Sequence, residues 1–115
     1  MTNDPSRSQA EETPTPIGIA VVEHAGQFLV GVRSDDGPLA GYAEFPGGKC
    51  LPDESPCDCA IRECLEETGL LVEPVELIFQ TTFEYPHGTV DLNFWRCHPV
   101  DRRDVTNDHN GFRWV

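Results

Sequence analysis

"AIRECLEETG", residues 60–69, is the stretch on which the fold turns. It reads as a helix, yet it sets Glu63, Glu66 and Glu67 within one turn of each other. Residues at i, i+3 and i+4 share a helical face, and like charges there cost about 0.2–0.5 kcal/mol per pair. The cluster also falls in the last turns, where the helix macrodipole disfavours anions. Two independent effects oppose the arrangement, so a strong positive charge is expected among the carboxylates.

The flanks support the helix. Ser55 is a good N-cap, Pro56 suits the first helical position, and Asp58 stands where a capping acid belongs. Gly69 suits the left-handed residue just past the end, so the helix is predicted over 56–68. On a helical wheel Cys57, Ala60, Ile61, Cys64, Leu65 and Thr68 share an apolar arc, and the three glutamates lie opposite. Three carboxylates on one face are hard oxygen ligands suited to Mg²⁺ or Mn²⁺. The glycines just upstream, in "EFPGGK" (44–49), let backbone groups approach a metal or a phosphate. Arg62, one turn before Glu66, is placed to pair with an acid.

Elsewhere the chain alternates as strands do. "IGIAVVEHAGQFLVGVRS" (17–34) reads as two strands joined at "HAGQ", with Ile17, Ile19 and Val21 in one alternating set and Phe28, Val30 and Val32 in another. Residues 34–41 read as a loop, and "YAEFPGGK" as a short strand entering a Pro-Gly-Gly turn. "LLVEPVELIFQTTFEY" and "TVDLNFWRCHPV" alternate around the turn "PHG"; "DRRDVTNDHN" reads as a loop and "GFRWV" as a last strand. Strands flanking one helix, with hairpins, imply a mixed sheet in an α/β or α+β domain.

Composition narrows the function. The 115 residues suffice for one domain, and residues 1–15, polar and holding Pro5 and Pro14, read as a mobile tail. A formal charge of −12 argues against a nucleic-acid duplex or an anionic membrane as partner. A small anionic substrate stays compatible, because a bound divalent cation inverts the local field. No apolar run is long enough for a membrane span or a secretory signal, and the five cysteines form no zinc-type spacing, so a cytoplasmic protein with reduced thiols is expected.

Gly48, five residues, Glu54, seven residues, then Arg62-Glu63-Cys64-Leu65-Glu66-Glu67-Thr68-Gly69-Leu70 resembles the Nudix box, G-x5-E-x7-R-E-U-x-E-E-x-G-U with U apolar. Every fixed position matches. At average composition such a match arises on the order of once per billion windows. The resemblance implies a Nudix-like mixed sheet sandwiched with helices over 16–115. The family usually continues into a further helix beyond the point where this chain stops, so that C-terminal helix is expected to be absent.

It also implies roles. Glu63, Glu66 and Glu67 would ligate Mg²⁺ or Mn²⁺, one of them acting as base, with the Gly47 carbonyl as a further ligand. Glu54 and Arg62 would orient helix and loop, and Gly48 and Lys49 would meet the substrate. "EFPGGK" before the box and "FWRC…GFRWV" after it are similar to the MutT-like branch, which hydrolyses nucleoside triphosphates, oxidised purine forms included, to monophosphate and pyrophosphate. That branch carries an acid before the last strand, where Asp108 stands as a further candidate metal ligand. ADP-ribose, a nucleotide sugar or a dinucleoside polyphosphate are alternative substrates, and a catalytically silent binding module is the alternative of another class. A small nucleotide is the implied partner, with the chain a monomer or homodimer.

Overall fold

The computed structural model describes residues 13–32 and 43–115. The expected loop at 34–41 and all but the last three residues of the expected tail lie outside the described residues. The elements are β1 (Thr15–His24), β2 (Gln27–Val32), β3 (Ala43–Glu44), β4 (Gly47–Lys49), α1 (Pro56–Thr68), β5 (Val72–Tyr85), β6 (Gly88–Pro99), a 3-10 turn (Arg102–Asp104), β7 (Asp108–His109) and β8 (Phe112–Trp114).

The eight strands form one mixed sheet in the order β5-β6-β1-β2-β8-β7, with β4 on β1 and β3 on β2. Among the described residues only the β1–β6 contact is parallel, from Thr15↔Val90 to Val22↔Cys97. β1 and β2 join through Ala25 and Gly26, both at positive φ (52° and 78°), the twist that two-residue hairpins favour. The expected Pro-Gly-Gly turn is instead strand: Gly47 and Gly48 pair with Ile19 and Gly18 of β1. The ladder to β1 extends them.

The helix forms as its flanks predict. Ser55 Oγ accepts from Asp58 N at 3.0 Å, and Gly69, at φ 76°, returns its N–H to Leu65 O. It packs on the sheet face made by Gly18, Ala20 and Val22. A Cβ on Gly18 would lie 2.4 Å from Pro56 O and 2.7 Å from Ala60 N, so this glycine sets how closely helix and sheet approach. The core holds Ala20, Val22, Leu29, Ala60, Cys64, Leu70, Val72 and Cys97, flanked by Ile61, Trp95, Phe112 and Trp114.

Two burial patterns differ from expectation. In β2 the buried residues are Leu29 and Gly31, while Phe28 and Val32 are exposed; Leu29 joins the core and Gly31 lies against Phe112, on the face opposite the one the alternation of Phe28, Val30 and Val32 marked. On α1, Cys59 is fully buried and Leu65 is exposed. The contact stripe is rotated toward the Cys59–Glu63–Glu67 row, because β4 as well as β1 packs on the helix. Among the described residues α1 is the single α-helix and packs on one face of the mixed sheet, as expected of a Nudix-like fold without its C-terminal helix.

Candidate metal and catalytic site

The register of β4 builds the site. Ala20 N donates to Pro46 O and Cys50 N to Pro16 O, each at 2.9 Å. Bonded and non-bonded pairs alternate in an antiparallel ladder. Pro46, Gly48 and Cys50 therefore face β1, and Gly47 and Lys49 turn their backbone groups outward. Those groups meet the helix. Gly47 N donates to Glu67 Oε1 at 3.2 Å, and Lys49 O accepts from Arg62 Nη2 at 3.2 Å. Gly48 lies against Glu63: a Cβ there would be 2.5 Å from the carboxyl carbon. Only glycine permits that approach.

Arg62 organises the polar side of the helix. It grips Glu54 in a two-pronged pair, Nε to Oε2 at 2.8 Å and Nη2 to Oε1 at 3.0 Å. Glu54 Oε1 also accepts from Leu51 N at 2.9 Å, which folds the loop between β4 and α1 onto the helix. The Arg62 guanidinium, then the Leu51 N–H, hold the Glu54 carboxyl down to about 2. Arg62 is raised above its ordinary value, chiefly by its hydrogen bond to Glu54. Its free edge reaches Glu66 at 3.1 Å and Glu63 at 3.3 Å.

The three glutamates are thus arranged as two plus one. Glu66 turns outward to Arg62, its i−4 neighbour. Glu63 and Glu67 lie together between helix and β4. Glu67 is pushed up to about 7, first by burial and then by the Glu63 carboxylate, with Glu44 adding to the field and the Gly47 N–H opposing it. The wheel placed all three glutamates opposite the buried arc; the packing of β4 brings Glu63 and Glu67 to its border.

Among the described residues, no three His, Cys, Asp or Glu side chains converge as a ready-made cage for a metal. The pair of Glu63 and Glu67 nonetheless fits a hard divalent cation. Two carboxylates pressed together and partly desolvated favour a cation between them. The outward edge of Gly47 supplies backbone oxygen beside them. Mg²⁺ characteristically takes one or two carboxylates and completes its shell with water and substrate phosphates, so an open pair suits it better than a closed cage.

The remaining expected residues are placed as follows. Lys49 is exposed and lines a cleft of about 520 Å³ with Thr15, Tyr85, His87, Thr89 and Val90. Asp108 is exposed in β7, and its Oδ1 accepts from Gly111 N at 2.8 Å, closing the β7–β8 turn. That turn does touch the helix: Asn110 Nδ2 donates to Glu67 O at 3.2 Å. Asn110 and Glu44 are neighbours of the site that the sequence reading missed. Glu44 stands beside the recognisable "FPGG" and carried a signal; Asn110, 43 residues from Glu67, carried none. Trp114 packs against the core and ties its indole N–H to Thr106 O at 2.9 Å.

Comparison with known proteins bears on this geometry. The model of the NUDIX domain matches residues 13–115. The chain is similar to the CTP pyrophosphohydrolase of Escherichia coli K12, 28% identical over 83% of this chain and 70% of that protein. It is also similar to the 8-oxo-dGTP diphosphatase of the same organism, 29% identical over 69% of this chain and 62% of that one. A MutT-like protein of Streptomyces ambofaciens is 37% identical over 80% of this chain and 60% of its own length. Thus the chain spans between 60% and 70% of these relatives. Among solved structures, the E. coli ORF135 protein superposes with a TM-score of 0.74 at 27% identity, covering 92% of this chain and 76% of that one. The MutT protein of Methanosarcina mazei Go1 does so with 0.69 at 30%, covering 90% and 78%. The chain belongs to the NUDIX domain family, in its MutT-like branch of pyrophosphohydrolases.

Proposed function

We propose that this chain hydrolyses a nucleoside diphosphate linked to a further group, with Mg²⁺ as cofactor and Mn²⁺ as a substitute. The preferred substrate is a (deoxy)nucleoside triphosphate, oxidised purine forms included, cleaved to monophosphate and pyrophosphate in the cytoplasm. The observation that carries the reading is the Glu63–Glu67 pair held against the outward backbone of Gly47.

Glu63, Glu67 and the Gly47 carbonyl would hold the cation, with Glu66 beside them. A divalent cation held there would supply charge neutralisation for the phosphates and would lower the pKa of a water. The chain's own residues do the rest. Glu54 and Arg62 lock the loop to the helix, and through Lys49 O they fix the edge of β4. Gly48 keeps the strand close enough for Glu63 to stand beside it. Lys49, on the rim of the 520 Å³ cleft, meets substrate phosphate. Asp108, in the β7–β8 turn whose Asn110 reaches the carbonyl end of the helix, would add a further carboxylate to the ligands of the cation.

The likeness to a CTP pyrophosphohydrolase favours a second reading, in which the base is a pyrimidine. One experiment separates these. dGTP, 8-oxo-dGTP, CTP, ADP-ribose and diadenosine tetraphosphate are incubated with and without Mg²⁺, and pyrophosphate and orthophosphate are measured. Mg²⁺-dependent pyrophosphate from a triphosphate supports the proposal and ranks the bases. Turnover of ADP-ribose or the dinucleotide alone would overturn the substrate class. A folded protein that binds Mg²⁺ and turns over nothing would overturn the hydrolase reading in favour of a binding module.

A further inference from the structure

Hairpin β5–β6 ends one side of the sheet, and among the described residues nothing pairs with the outer edge of β5. The strand is exposed along almost its whole length, including Phe79 at 58%, Phe83 at 51% and Tyr85 at 51%. A long, apolar, open edge is a template for another strand. Its first half is a poor one. Pro74 has no N–H, and the ladder to β6 shifts between Pro74 and Glu76 and again between Leu77 and Phe79. From Phe79 to Tyr85 the ladder is regular.

The turn decides which backbone groups are free. Tyr85 pairs with Gly88 across a two-residue turn, and the pair that closes such a hairpin is hydrogen-bonded. Bonded and non-bonded pairs then alternate, so Phe79, Thr81, Phe83 and Tyr85 spend their backbone groups on β6. Gln80, Thr82 and Glu84 direct theirs outward.

We infer that two copies of this chain pair antiparallel through these edges, about a twofold axis at Thr82. In that register Gln80 meets the partner's Glu84 and Thr82 meets the partner's Thr82, with the outward backbone groups of each bonded to the other. On the face away from α1, Phe79 stands opposite the partner's Tyr85, and Thr81 opposite the partner's Phe83. These side chains continue a stripe that already holds the Phe79–Phe94 contact at 5.8 Å and the Phe83–Tyr85 contact at 4.8 Å. Opposed aromatic pairs stabilise a sheet and opposed like charges destabilise it. A slip in one direction draws Pro86, which has no N–H, into the ladder and then sets Glu84 against Glu84. The opposite slip draws in the irregular Leu77–Phe79 segment. The Thr82-centred register alone uses the whole regular stretch.

Sedimentation equilibrium of the full chain over a concentration series up to about 100 µM tests this. A reversible dimer is expected. Thr82→Pro removes an N–H that β6 does not use, so the fold, checked by circular dichroism, is retained and the dimer weakens by about tenfold or more. Gln80→Lys faces the partner's Glu84 and tightens it by about fivefold. A wild-type monomer at every concentration overturns the inference. So does a dimer that Gln80→Lys leaves unchanged, because the contact then lies elsewhere, and this holds even where Thr82→Pro disturbs the fold.

Discussion

The helix–β4 region and the β5–β6 hairpin are built from the same chemistry of alternating and periodic side chains, with opposite results. At the helix, charge is dense and packing is close: Gly18 and Gly48 admit backbone and carboxylate at distances no other residue tolerates. Its polar groups are linked through Arg62 to Glu54, Glu63, Glu66 and Lys49 O, and through Gly47 N to Glu67. The hairpin is the reverse. β5 carries no buried residue after Val72, and its aromatic rings face outward. One region places charges where burial makes them costly, and a ligand of opposite sign relieves the cost. The other leaves apolar surface in water, where a strand from outside relieves it.

The comparison is broken most severely at Glu67. Glu67→Gln keeps size and removes charge, and turnover should fall by about 10²–10⁴-fold, measured as Mg²⁺-dependent pyrophosphate release. The same residue gives a stability signature. Its folded value, raised to about 7 from 4.5, means the cation-free fold prefers the protonated acid. Stability from this group is full below about pH 4.5 and is lost as pH rises toward 7. Mg²⁺ should restore it near neutrality, seen as a higher Tm at pH 7.5 than in chelator, with no such gain in Glu67→Gln.

Gly18→Ala attacks the packing beneath the site. Its Cβ would meet helix backbone rather than a yielding side chain, and overpacking of that kind costs about 1–3 kcal/mol. Urea unfolding measures it. Glu54→Gln is smaller in activity and specific in pH. Glu54 is held down to about 2, so its contribution is present above about pH 4.5 and is lost as pH falls toward 2. The acid limb of the wild-type Tm profile should flatten in Glu54→Gln, while kcat falls less than in Glu67→Gln. Ala25→Asn is the mildest change and sharpens the contrast from outside both regions. Ala25 holds φ 52° in the β1–β2 turn; asparagine tolerates that conformation better, and about 0.5–1 kcal/mol of added stability is expected in the same urea assay, with activity unchanged.

Much of this was legible without coordinates where the information is local. Ser55, Pro56 and Gly69 bound the helix because caps act on the nearest few N–H and C=O groups. The spacing of Gly48, Glu54, Arg62 and the glutamates identified the family because the Arg62–Glu54 pair and the helix row repeat at fixed intervals along one short segment. What stayed hidden depends on which distant strand arrives. The alternation in β2 marked the face of Phe28, Val30 and Val32, and the core assembled from α1, β1, β6 and β8 took Leu29 instead. The wheel set three glutamates together, and the Gly48–Gly18 pairing divided them, drawing Glu63 and Glu67 inward while Arg62 took Glu66.

The sequence by itself determined the helix, its acidic row and the loop that serves it, since capping, helical periodicity and ion pairing act within a few residues of chain. Only the tertiary structure decided that β4 would lie flat on β1 with Gly47 facing outward, that Asn110 would reach the end of α1, and that β5 would be left with an open edge. Those outcomes follow from strand register, where a shift of one residue turns every side chain and every backbone group to the opposite side.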